Sequence, residues 1–254
     1  MRFVHSYQKL VAAAIVAMCP LAYAQTPSTK LKGAYVLTEE GFTASGQLIN
    51  SIASLNFSEA GTVTGTEVIQ ATGGVKFVDV VGTYTIDADS TGTLILTATF
   101  TDSDGVVQTA PQSLKVIVPS SGDIMAVRTD AGYYTTAKLA AAAAAASLKG
   151  VHLFTERASG RPLTRLVLLN FDGAGTVDGF ALIDALGVVS RANIKGSYVS
   201  QSNGFATMTL DVQVPVESGD PEITRETYLV LADKNAARMI RSDSGSAGIL
   251  TLSR

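Results

Sequence analysis

The side chains that could do chemistry are few, and each has a competing structural use. Only two histidines occur in 254 residues, His5 and His152. A Ser-His-Asp triad would have to use His152, and no G-x-S-x-G elbow accompanies it. The one cysteine is Cys19, so zinc ligation by histidine and cysteine has too few ligands. Asp87-x-Asp89 and Asp102-x-Asp104-Gly105 carry the oxygen ligands that calcium uses, but neither continues to the closing Glu of a twelve-residue loop. Aspartate and glycine are also what tight turns select. Glu39, Glu40, Glu156 and Asp172, all near turns, are candidates for the paired carboxylates of glycoside hydrolysis, and Glu39 and Glu156, each after a Thr at the end of a first strand, read as solvated strand ends. Gly175-x-x-x-Gly179 follows a hairpin rather than joining a strand to a helix, so it is no phosphate loop. The sequence offers no catalytic motif, no metal site and no cofactor motif.

The first 24 residues read as an export signal. Arg2 and Lys9 supply the positive start, Leu10 to Met18 the apolar run, and Ala22-Tyr23-Ala24 the small-x-small cleavage site. The apolar run is shorter than the ~20 residues a bilayer span requires. Cleavage near Ala24 predicts a secreted or periplasmic chain with no transmembrane span and no thiol. Met18 stands where a lipid-attachment signal at Cys19 would place a small residue. Without Arg2 and Lys9, 17 of the 19 basic residues remain against 22 acidic ones. A nucleic-acid partner needs a basic footprint, which this balance lacks.

The elements that must position any site come in two copies. Leu55 to Gly65, LNFSEAGTVTG, returns as LNFDGAGTVDG at Leu169 to Gly179 with eight of eleven positions identical. Leu31-Lys32-Gly33 matches Leu148-Lys149-Gly150, Gly82-Thr83-Tyr84 matches Gly196-Ser197-Tyr198, and Val127-Arg128-Thr129-Asp130 matches Ile240-Arg241-Ser242-Asp243. The repeat pairs Glu39 with Glu156, Tyr35 with His152, and Arg128 with Arg241. The arginines are expected to bond backbone carbonyls at a barrel base, and His152 to share a strand position with Tyr35.

Each copy reads as about eight short strands at hairpin spacing. In the first they are Ala34–Thr38, Leu48–Phe57, Thr62–Ile69, Val75–Ile86, Thr93–Thr101, Ser113–Val118, Ile124–Arg128 and Gly132–Thr136, with a glycine-containing loop at Gly41 to Gly46. Up-and-down closure removes exposed edges, and eight strands enclose either a filled core or one small ligand. Alanine is the best helix former, so the seven alanines from Ala140 to Ala146 predict a helix over 137–149. The domains expected are residues 25–136 and 150–254, joined by that helix.

The G-x-Y opening at Gly33-Ala34-Tyr35, the hairpins Phe57 to Gly65 and Phe171 to Gly179, and Gly82-Thr83-Tyr84-Thr85-Ile86 with Thr91-Gly92-Thr93 carry a resemblance. At these units the sequence resembles exported bacterial calycin-like (lipocalin-like) β-barrel repeat proteins, departing at Val151-His152 and after Tyr198. The resemblance implies a barrel fold but no particular activity. The fold expected is therefore all-β, two tandem antiparallel barrels. The function expected is non-catalytic binding of a small apolar ligand, lined by Tyr35, Phe57, Tyr84, Phe171 and Tyr198. The alternatives are a structural or adhesive envelope module with filled barrels, and a barrel-pocket isomerase or hydrolase using Glu39, Glu156 or His152. A pocket lined by one of those three would favour the enzyme.

Overall fold

The computed structural model describes residues 30–71, 74–101, 104–143, 148–157, 163–185, 187–214, 220–234, 236–243 and 248–253. The expected export signal, Cys19 and Asp102 lie outside them. The chain forms β1 (Gly33–Thr43), β2 (Leu48–Phe57), β3 (Thr62–Ala71), β4 (Gly74–Ile86), β5 (Thr91–Thr101), β6 (Val107–Ile117), β7 (Ile124–Arg128) and β8 (Tyr133–Ala141). It continues with β9 (Lys149–Arg157), β10 (Leu163–Asp172), β11 (Thr176–Ala185), β12 (Val188–Ser200), β13 (Phe205–Val214), β14 (Glu222–Ala232), β15 (Ala236–Arg241) and β16 (Ile249–Ser253). Each strand pairs antiparallel with its neighbours. β1 closes on β8 and β9 on β16, giving two closed eight-stranded barrels in tandem.

Alternation decides which side chains go inside. In β2, Ala53, Leu55 and Phe57 are buried while Asn56 is exposed, the period-2 pattern of a strand with one face in a core. The repeated stretch is the hairpin that starts this pattern. Its tip, Ser58 to Gly61, is held by Gly61 N–H donating to Ser58 O at 3.1 Å, and Gly61 has a φ of 82°. The closing glycine of the motif has another reason. A Cβ at Gly65 would lie 2.0 Å from the Ser54 carbonyl oxygen, and one at Gly179 would lie 2.0 Å from that of Leu168. Both positions require the backbones to approach too closely for any side chain.

The barrels also pack on one another. Val36, Ile52 and Val68 point out of the first barrel, and Phe205, Leu229, Leu231 and Ile240 out of the second. Together they form one buried apolar cluster. Phe77 meets Phe205 edge to face at 6.0 Å. Gln70 completes the contact: its amide oxygen accepts from Gly248 N–H at 2.8 Å, and its amide nitrogen donates to Arg241 O at 3.5 Å.

The predicted helix over 137–149 is not what forms at its described residues. Ala137 to Ala141 belong to β8, Ala142 makes an antiparallel bridge to Asp233, and β9 begins at Lys149; residues 144–147 are outside the described set. Helix propensity is a weak prior. Here β1 has no second partner unless β8 supplies one, and Tyr35↔Ala141 to Thr43↔Tyr133 is the register that closes the barrel. β1 likewise runs on to Thr43, through Gly41. A Cβ at Gly41 would lie 2.2 Å from Tyr134 O, so the glycine read as a loop residue is a strand crossing.

Candidate functional site

Each barrel has an apolar end and a polar end. At the apolar ends the two copies use the same contacts. Phe57 packs edge to face between Tyr35 at 5.2 Å and Tyr84 at 5.3 Å. Phe171 packs in the same way between His152 at 5.3 Å and Tyr198 at 5.4 Å. The Tyr84 hydroxyl donates to Leu31 O at 2.7 Å and lies 2.9 Å from Ser58 O, and the Tyr198 hydroxyl donates to Leu148 O at 3.0 Å. Burial pushes the Tyr84 phenol up from its ordinary range. His152 thus occupies the position that Tyr35 holds in the first copy. Of the five aromatic residues expected to line a ligand site, Tyr198 borders a surface hollow of about 450 Å³ beside the Gly173–Gly175 turn. Phe57, Tyr84 and Phe171 are buried core, and Tyr35 is half-buried against it.

The polar end of the first barrel is hollow. A cavity of about 630 Å³ opens there, lined among others by Glu39, Ser51, Glu67, Gln112, Arg128 and Tyr133. Glu39 and Glu67 are each 1 % exposed and Gln112 is 3 % exposed. Thr135 Oγ1 donates to Glu39 Oε1, and Arg128 approaches the same oxygen at 3.4 Å. Arg128 Nε also donates to Asp130 Oδ2 at 2.8 Å, while the Tyr133 ring covers the guanidinium at 3.7 Å. Gln112 Nε2 donates to Glu67 Oε2 at 2.9 Å, and Gln112 Oε1 is buried without a hydrogen-bond partner. Burial pushes the Glu67 carboxyl above the usual carboxylate range, with Ser51 and Gln112 pulling the other way.

At the same level of the second barrel an arginine stands among the carboxylates. Position 51 becomes Arg165, and its guanidinium reaches Glu156 through Nε, Glu226 Oε1 at 2.8 Å and the Tyr228 hydroxyl. Tyr228 in turn donates to Glu226 Oε2 at 2.8 Å, and Arg241 adds a contact to Glu226 at 3.3 Å and another to Asp243. Burial disfavours charge on Arg165, but Tyr228, Glu226 and Glu156 more than offset it and hold the guanidinium above its ordinary pKa. Burial drives the Tyr228 phenol up as well.

Several expected roles change. Glu39 and Glu156 are not solvated strand ends; both face inward and are buried. Arg128 and Arg241 bond carboxylates rather than backbone carbonyls. The repeated Arg-Thr/Ser-Asp unit is a brace, in which Asp130 accepts from Ser113 N–H at 3.0 Å and Asp243 from Thr227 N–H at 2.9 Å. Glu40 points outward and is exposed. Asp172 and Asp89 build turns: Asp172 Oδ1 accepts from Ala174 and Thr176 N–H, Asp89 Oδ1 from Thr91, and these bonds hold both carboxyls below the usual range. Among the described residues no three His, Cys, Asp or Glu side chains converge as a metal site.

Sequence reasoning did not single out Ser51, Glu67, Gln112, Thr135, Arg165, Glu226 or Tyr228. The signal was present in the alternation, because Glu67 falls on the inward phase of Val63, Gly65 and Ile69, and Gln112 on that of Leu114 and Val116. The repeat alignment also places them: Ser51, Glu67 and Gln112 fall opposite Arg165, Ala181 and Glu226. No family model matches the chain, and no curated protein aligns with it.

Proposed function

We propose that the protein is an exported, non-catalytic binding protein that takes a small molecule into the polar end of its first barrel, with the second barrel as a filled companion. The observation that carries this is the cavity of about 630 Å³ at a level where the second barrel is occupied by its own arginine. That volume lies within the ~300–1,000 Å³ range of ordinary ligand pockets, and a few convergent buried polar groups set orientation in such sites. Barrel mouths are ordinary ligand sites, and the hollow end here is polar. Export rests on the basic, apolar and small-residue succession of residues 1–24.

Native mass spectrometry of protein purified from its own host, followed by extraction, tests the reading. A stoichiometric small molecule is expected on the wild type and not on Ala110→Trp, which plugs the mouth. The same molecule retained by Ala110→Trp would place binding elsewhere.

One observation favours a barrel-pocket isomerase or hydrolase as a second reading: the cavity is lined by Glu39, beside Glu67. Two neighbouring buried carboxyls, one of them raised by burial, are the kind of pair that acid–base catalysis uses. Incubating the extracted molecule with the wild-type protein separates the two: its conversion, lost in Glu67→Gln, would favour the enzyme, and its recovery unchanged favours the binding protein.

A further inference from the structure

The two barrels are one blueprint with a different side chain at one decisive place. In the second, the guanidinium of Arg165 lies between Glu156 and Glu226. In the first, the residues in register are Glu39 for Glu156, Gln112 for Glu226 and Ser51 for Arg165. The acceptors remain and the cation is missing. Glu67, which replaces Ala181, adds a further carboxyl to the same wall. Gln112 Oε1 is a buried acceptor without a hydrogen-bond partner, and its counterpart, Glu226 Oε1, takes the N–H of Arg165 at 2.8 Å.

Charge points the same way. Among the described residues the one buried cation facing the cavity, Arg128, is already committed to Asp130 at 2.8 Å and Glu39 at 3.4 Å and is capped by Tyr133. Lys76 is exposed at the mouth, with its ammonium 5.8 Å from the Phe100 ring. An anion would find no free buried donor of positive charge, whereas a cation finds two carboxyls and an unused amide oxygen.

We propose that this cavity binds a compact organic cation whose guanidinium or primary ammonium head sits between Glu39 and Gln112, beside Glu67, where the second barrel places the head of Arg165 between Glu156 and Glu226. The proposal rests on the binding reading above and names its ligand class. The cavity exceeds the size of the head alone, so the ligand body extends past Ile69 and Ala110 toward Tyr133. Guanidinium suits paired carboxylates because its planar fork donates along two directions at once.

The test titrates the wild-type protein with propylguanidinium, the neutral isostere propylurea, and butyrate, following amide shifts by NMR. Propylguanidinium is expected to bind at least about tenfold more tightly than propylurea, the equivalent of one charge-assisted hydrogen bond, and butyrate not at all. Ser51→Arg is expected to supply the head covalently and abolish binding. Should that variant fail to fold, Glu67→Gln serves instead, with an expected loss of about tenfold or more. Propylurea or butyrate binding as well as propylguanidinium, and blocked by Ser51→Arg, would overturn the cation class while leaving the pocket as a binding site. If none of the three binds and native mass spectrometry also finds the cavity empty, both readings fall.

Discussion

The apolar ends of the two barrels answer the same question in the same way, and the polar ends answer it differently. At the apolar end a phenylalanine is wedged edge to face between two rings, and a tyrosine hydroxyl ties down the segment before the first strand. That solution depends only on shape and one hydrogen bond, so Tyr35 can become His152 without rearrangement. At the polar end the barrel must satisfy buried carboxylates. The second barrel does so internally with Arg165 and Arg241, and the first leaves the task partly undone. Repetition of a fold therefore fixes the scaffold far more tightly than it fixes the interior.

The most severe way to break the comparison is Arg165→Met, which takes from Glu156 and Glu226 their nearest cation and leaves Arg241 at 3.7 and 3.3 Å. Removing one partner of a buried charge set costs about 3–5 kcal/mol. Urea unfolding should show that loss, whereas Ser51→Ala in the first barrel should barely register. Arg165→Ser should in turn make the second barrel resemble the first, with its lost stability partly restored by added propylguanidinium.

The likeness of the apolar ends is sharpened by Phe57→Leu and Phe171→Leu. Each should cost about 1–3 kcal/mol, with similar losses for the pair. Unequal losses would show that the shared ring geometry conceals different packing. Smaller still are Tyr84→Phe and Tyr198→Phe, each removing one hydroxyl donor for about 0.5–1.5 kcal/mol. Chemical denaturation resolves that scale when both variants are measured against the same wild type.

The gentlest test is pH. Because burial raises the Glu67 carboxyl above its unfolded value of 4.5, the folded chain binds more protons than the unfolded one between the two values. Glu67's contribution is therefore fully present below the unfolded pKa and lost as pH rises through the folded one. The charged groups facing it are Glu39 from β1, Arg128 from β7 and Lys76 from β4, with Ser51 from β2 and Gln112 from β6 as polar neighbours. Glu67→Gln should flatten the fall in melting temperature across that window and leave the variant the more stable protein near neutrality. An unchanged pH profile would contradict the buried, raised carboxyl.

Much of the scaffold was legible because it is local. Alternation in Leu48 to Phe57, the Ser-Glu-Ala-Gly and Asp-Gly-Ala-Gly tips and the duplicated landmarks all act over a few residues, and they placed nearly every strand and the two-barrel division. What was hidden depends on partners far along the chain. Ala137 to Ala141 look helical until β1, about a hundred residues earlier, needs them as a closing strand. Glu39 looks like a solvated strand end until Thr135 and Arg128 arrive beside it from β8 and β7. The site was partly readable in principle, since charged residues on an inward phase are costly enough to require a reason, and Glu67 is such a residue.

Arg165 differs from a free cation in being anchored to β10. The anchored head faces its carboxylates at an effective concentration set by chain geometry, independent of what surrounds the protein. The second barrel is consequently saturated under all conditions in which it is folded. A site of the same form in the first barrel takes its cation only by mass action, so its occupancy, and any stability gained from it, follows the supply of ligand outside. One molecule thus carries a constant reference and a variable reading side by side.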